Sequence, residues 1–117
     1  MAKPKKCISV AEAKTLRDNW HSTRAVCIEE ERSGKDCSDV SYSVAELEEF
    51  LNYVKEESKK QGVSNPGVRI YFGAYDDNNS DMATVFLAPI KGDDAKSNNY
   101  DIDPFNFGGN GWPPNIY

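Results

Sequence analysis

A helix-start signature occurs twice in this chain, as Ile8-Ser9-Val10-Ala11-Glu12 and as Tyr42-Ser43-Val44-Ala45-Glu46. In each copy the serine oxygen can accept from the backbone N–H three residues on, while that residue's glutamate reaches back to the serine N–H. Two donors that a helix start would otherwise orphan are thereby satisfied. The signature fixes where two helices begin, and so fixes the frame of the fold. It specifies no reaction and no ligand.

The chain has 117 residues, enough for one domain around one core. Hydrophobic residues make up 38%, with five Phe, six Tyr and two Trp, which predicts a thin core built from a few large rings. The expected layout is a basic N-terminal segment over 1–8, a helix-helix-hairpin body over 9–90, and a loop with an aromatic tail over 91–117. A formal charge of −5 opposes binding to a phosphate backbone, so nucleic acid is not an expected partner. No apolar run approaches the roughly 20 residues that span a bilayer, so a membrane is not expected either. Basic residues open the chain, but a capped helix follows where a secretory signal would be apolar. Cys7, Cys27 and Cys37 are odd in number and lack a C-x-x-C spacing. Neither a disulfide framework nor a zinc site is suggested, and a reduced cytoplasmic location is expected.

In the first helix Val10, Ala13, Leu16, Trp20 and Cys27 return at helical spacing, with Thr23 filling the gap and Ile28 widening the stripe. That predicts one long amphipathic helix with Cys27 on its buried side, ended near Ser33-Gly34. In the second, Val44, Leu47, Leu51 and Val54 form the stripe with Phe50 beside it, and Gly62 is the natural C-cap. After Pro66-Gly67 the residues become β-branched and aromatic over 68–75 and again over 82–88, separated by Asp76 to Asp81, all turn formers. An antiparallel hairpin follows, with both strands apolar enough to be internal or covered on both faces. A short third strand is expected at 39–42, pairing with either hairpin strand. The fold class is α+β: two amphipathic helices on a small sheet of about three strands, finished by an ordered aromatic, Gly- and Pro-containing tail. The twin caps are not a repeat, because the similarity ends at the cap.

Lys91 to Asn99 reads as a solvated loop, and beyond it Tyr100, Ile102, Phe105, Phe107, Trp112, Ile116 and Tyr117 sit among glycines and prolines. Burying three such side chains is worth roughly 5–8 kcal/mol before ordering costs, comparable with the stability of a small domain. Such a tail either folds back over the sheet or docks on a partner or ligand. Two candidate sites follow. One is a contact surface made of the tail rings Phe105, Phe107 and Trp112 with Tyr71 and Tyr75, read as exposed tyrosines of the 68–75 strand. The other is an anion site on the first helix, where Arg17, His21 and Arg24 recur at four and three residues beside Trp20.

Other patterns carry less. Asp76-x-Asn78-x-Ser80 imitates the opening of a calcium loop but lacks the glycine and the distal glutamate, and Asp101-x-Asp103 is expected to cap turns. With His21 the only imidazole, neither a histidine metal site nor a nucleophile–base pair is suggested, and no phosphate-binding glycine loop is present. No cofactor and no metal are expected.

The segments Tyr53 to Gly62, Gly67 to Tyr75 and Phe105 to Pro114 resemble a group of small uncharacterised bacterial α+β proteins, over most of the chain from Ile8 onward. That group has no assigned activity, so the resemblance implies no site residue. It implies only that the aromatic tail belongs to the domain. The function expected from the residues is a non-catalytic cytoplasmic interaction module, able to form a homodimer through its tail. The alternative is a binder of, or enzyme for, a small anionic molecule held near Arg17, His21 and Arg24.

Overall fold

The structure is a computed structural model that describes residues 1–112 and 117. Both capping boxes form as the sequence predicts. Helix α1 (Val10–Ser22) starts at Ser9, whose Oγ accepts from Glu12 N at 3.0 Å while Ser9 N donates to Glu12 Oε1 at 3.3 Å. In α3 (Val44–Lys60), Ser43 and Glu46 make the same reciprocal pair at 3.0 and 3.4 Å.

The first predicted helix is divided. Thr23 leaves helical geometry at φ −119°, ψ −75°, with its hydroxyl donating to Asn19 O at 2.6 Å, and a separate helix α2 (Arg24–Arg32) follows. A side-chain hydroxyl competing for a backbone acceptor is a known cause of such breaks, and Ser22 Oγ donates to the same carbonyl. Ser33, left-handed at φ 58°, ends α2, and Gly34 N closes on Glu29 O. The face these helices turn inward carries Ala13, Arg17, Trp20, His21, Ala25 and Ile28, all half-buried, and neither helix has a fully buried residue. Val10, Leu16 and Cys27, expected on the buried stripe, are exposed, because the inward face is set by Arg17 and Trp20.

Strands β2 (Gly67–Ala74) and β3 (Ala83–Ile90) form the expected antiparallel hairpin in full register from Gly67↔Ile90 to Ala74↔Ala83. Its turn is closed by Asp77 Oδ1, which accepts from Asn79 N and Ser80 N at 2.8 and 2.9 Å. Thus the calcium-like residues make an Asx turn. The third strand exists as β1 (Val40–Ser41), but it pairs with neither hairpin strand. Its antiparallel partner is β4 (Gly109–Asn110) in the tail.

The fold is therefore α+β, with two small antiparallel sheets where about three strands in one were expected. Its core sits between α3 and the hairpin, where Phe50, Val54 and Leu87 are buried and Leu47, Val68, Val85 and Phe105 pack against them. The buried line of α3 runs through Phe50, Val54 and Ser58, a rotation from the expected stripe that leaves Val44 and Leu51 exposed. Large rings account for the rotation: Phe50 stacks on Phe105 at 4.8 Å, and Tyr42 closes the cluster 5.1 Å from Phe105.

The tail covers one edge of the hairpin. Phe105 and Leu87 exchange backbone hydrogen bonds at 2.8 and 2.9 Å, Asn99 N donates to Pro89 O, and Ile102 is only 2% exposed. Asn98 and Asn99, expected in a solvated loop, are anchors: Asn99 is buried and exchanges side-chain hydrogen bonds with Gln61 just past α3, its Nδ2 donating to Gln61 Oε1 and its Oδ1 accepting from Gln61 Nε2. Farther on, Gly108 lies so close to Val40 and Tyr42 that any Cβ would run into both. Of the tail rings Phe105 thus enters the core, beside the buried Ile102, while Tyr100, Phe107, Trp112 and Tyr117 are exposed and Ile116 lies outside the described residues. No helix among them is long and apolar enough to cross a membrane.

Candidate functional site

Because the tail occupies the β3 edge, β2 is left as an open edge strand, with no backbone partner on its outer side among the described residues. The cross-strand register places Val68, Ile70, Phe72 and Ala74 on one face with Pro89, Leu87, Val85 and Ala83. Helix α3 covers the Val68 end of that face. Toward the other end, Ile70 and Phe72 stay 62% and 84% exposed, which corrects the expectation of two internal or doubly covered strands.

Between this open end and the α1–α2 pair lies a cleft. Its apolar section is a cavity of about 420 Å³ lined by Trp20, Ile28, Phe72, Ala74, Ala83 and Val85. A polar section of about 200 Å³ continues from it past Ile28 and Cys37 to Arg17, His21, Glu29 and Lys35. The Trp20 and Phe72 rings face each other across the apolar mouth, 6.4 Å apart.

One clasp holds the two sides of the cleft together. Arg32 at the end of α2 donates to Asp81 Oδ1 at 2.7 Å, and Asp36 Oδ1 accepts from both Cys37 N and Ala83 N at 2.8 Å. Cys37 donates its thiol proton to Ala83 O at 3.0 Å. Burial, and after it the Asp36 carboxylate, pushes that thiol above the ordinary range for cysteine. A protonated, donating thiol is a poor nucleophile. So although Cys37 and His21 border one cavity, the geometry there is suited to binding.

The proposed site residues separate into three groups. Arg17 and His21 come together at the polar end of the cleft, one helical turn apart, and Arg17 Nε and His21 Nε2 are both buried without a hydrogen-bond partner among the described residues. Arg24 does not join them; it lies beyond the break at Thr23, is exposed, and donates to Thr23 Oγ1. Tyr71, Tyr75 and Phe105 form the second group, which serves the tail. Tyr71 stacks on Phe86 at 5.0 Å and its oxygen accepts from Asn98, while Tyr75 donates to Asn106 Oδ1. Both tyrosines are half-buried, so they are not the free contact residues their strand position suggested. In the third group, Phe107 and Trp112 are exposed, at 89% and 48%. Phe107 also holds a left-handed backbone at φ 55°, a conformation that costs a non-glycine residue about 1–2 kcal/mol.

The open edge and its residues Ile70 and Phe72 were missed by sequence reasoning. Which of two hairpin strands the tail covers is a matter of long-range pairing, and alternation within 68–75 carries no sign of it.

No family, curated protein or solved structure matches the chain. Among the described residues, no group of three or more His, Cys, Asp or Glu is placed to hold a metal ion.

Proposed function

We propose that this protein is a non-catalytic interaction module of the reducing cytoplasm that associates with a second copy of itself through the outer edge of β2. The observation that carries the reading is an eight-residue strand with an unpaired edge, no proline, one charge and two exposed large apolar side chains. Native proteins shield such edges with charges, bulges or covering segments; on β2 the one charge, Arg69, donates to Asn98 Oδ1 and to the Asp94 and Ala95 carbonyls of the loop after β3.

The strand is complementary to itself. Two copies related by a two-fold axis normal to the sheet pair residues of equal parity, so an axis at Tyr71 sets Ile70 of one copy beside Phe72 of the other. Arg69 then faces Gly73, so no like charges meet. Seven backbone positions, Val68 to Ala74, continue the ladder, and the face left open on each copy is narrowed by the other. This moves the contact from the tail rings to the hairpin, because Phe105 is committed to the core. The free cysteines Cys7, Cys27 and Cys37 fit a reducing compartment.

Light scattering over a wide concentration range tests the reading. The expected result is a dimer that becomes a folded monomer in the double variant Ile70→Lys, Phe72→Lys, which sets lysines against each other across the edge. A wild-type chain that stays monomeric at every concentration, or a double variant that still dimerises, overturns it.

A further inference from the structure

The cleft supplies something the β2 edge does not need, a cationic end and an apolar end joined in one space. At the polar end Arg17 makes no hydrogen bond among the described residues; its nearest acid is Asp18, 3.6 Å away and mostly in solvent. His21 Nε2 is likewise unpartnered, and Lys35, which lines the same section, makes no ion pair among the described residues. Of the two carboxylates there, Asp36 already accepts two backbone N–H groups and has Arg32 within 4.0 Å, leaving Glu29 as the acid at that end without a partner among the described residues; Asp39 lines the adjoining section. Buried donors without acceptors are costly, so a group that accepts from them gains what the protein forgoes. The adjoining section exposes mainly apolar surface, with Asp36 and Asp39 also on its lining, and its volume is within the range of small-molecule pockets.

We propose that the cleft binds an amphipathic organic acid, its carboxylate held by Arg17 and His21 and its apolar body lying between Trp20, Ile28 and Phe72. The site does not need self-association, because every residue lining the cleft belongs to one copy; Phe72 is shared with the proposed β2 contact, while Arg17, His21, Trp20 and Ile28 are not.

Trp20 reports on the cleft directly once the second tryptophan is removed, as in Trp112→Phe. The probe is sodium decanoate below its micelle concentration, with decanol and decyltrimethylammonium as the neutral and cationic counterparts. The expected result is a saturable change in Trp20 emission with decanoate, tightening about fourfold per methylene from hexanoate upward. Decyltrimethylammonium gives none. Arg17→Ala weakens decanoate by about tenfold or more while leaving decanol unchanged, since a charge-assisted contact is lost. Ala74→Leu, at an exposed position on the cavity wall, weakens both. Glu29→Gln, which removes only a carboxylate from the polar end, tightens decanoate and provides a reading that does not rest on a loss. No saturable change with decanoate, equal responses to the anion and the cation, or an Arg17→Ala chain that binds decanoate like its parent would each overturn the proposal. Since the titration is made at one fixed protein concentration on a chain whose mass is measured alongside, failure here leaves the dimer reading standing, and the reverse.

Discussion

At the scale of single residues, Asp36 concentrates the most consequence in the fewest atoms. Its Oδ1 satisfies the N–H groups of Cys37 and Ala83, which are part-buried where the α2 end meets the hairpin. Asp36→Ala strands both donors and is expected to cost about 2–3 kcal/mol, read as a lower urea midpoint with an unchanged slope. Its neighbour Cys37 links stability to pH. The folded chain holds the thiol proton to higher pH than the unfolded chain does, so the stabilisation is complete below the ordinary thiol pKa of about 8.5 and is lost as pH rises through the folded-state value. Cys37→Ala should therefore flatten the alkaline fall in stability that the wild-type chain shows, and an unchanged difference between the two from neutral to alkaline pH would refute the linkage. Phe107 shows the opposite arrangement, an exposed ring on a strained backbone. Phe107→Gly is expected to raise stability by about 0.5–1 kcal/mol, the relief of strain exceeding the entropy glycine adds to the unfolded chain. None of these three roles was legible in the sequence. Asp36 and Cys37 act through Ala83, more than forty positions away, and a left-handed phenylalanine has no sequence signal.

At the scale of elements, the two identical caps are expected to matter unequally. Ser43 starts the helix that carries Phe50 and Val54, so Ser43→Ala should lower global stability by about 1 kcal/mol. Ser9 starts a helix with no fully buried residue, and Ser9→Ala should fray α1 locally, reducing its hydrogen-exchange protection with little change in the global midpoint. Equal global losses from both would show that α1 is as deeply committed as α3. Local chemistry was readable at this scale: both caps, the Gly62 turn after α3 and the hairpin all fall where residue type places them. Orientation was not. The apolar stripe of each helix pointed to a buried face that the structure rotates, because the partner rings Phe105 and Phe72 come from distant segments. Part of the candidate site was legible for the same local reason. Arg17 and His21 share a face at four-residue spacing, whereas Arg24 was read across a break that Thr23 creates by hydrogen bonding backward.

At the scale of the whole molecule, the chain exposes 9111 Å² and has a radius of gyration of 16.5 Å. A compact monomer of this mass exposes roughly 6,400 Å² with a radius of about 13 Å, so this chain is less compact than usual and buries a smaller share of its surface. With so thin a core, the tail cannot be spared. Ile102 is almost wholly buried, Phe105 stacks on Phe50, and the Phe105 backbone closes the β3 edge at Leu87. A chain ending at Asn99 loses about 3–5 kcal/mol of apolar burial from those two side chains, against a total of about 5–15 kcal/mol for an ordinary domain. It also bares a second edge, so both sides of the hairpin become open to association. The expected outcome is a truncated chain with no cooperative thermal transition and a tendency to aggregate. The Ile70→Lys, Phe72→Lys chain, in contrast, should unfold cooperatively as a monomer. If the truncated chain instead melts cooperatively as a monomer, the tail is an appendage, and Ile102 and Phe105 contribute far less than their burial implies.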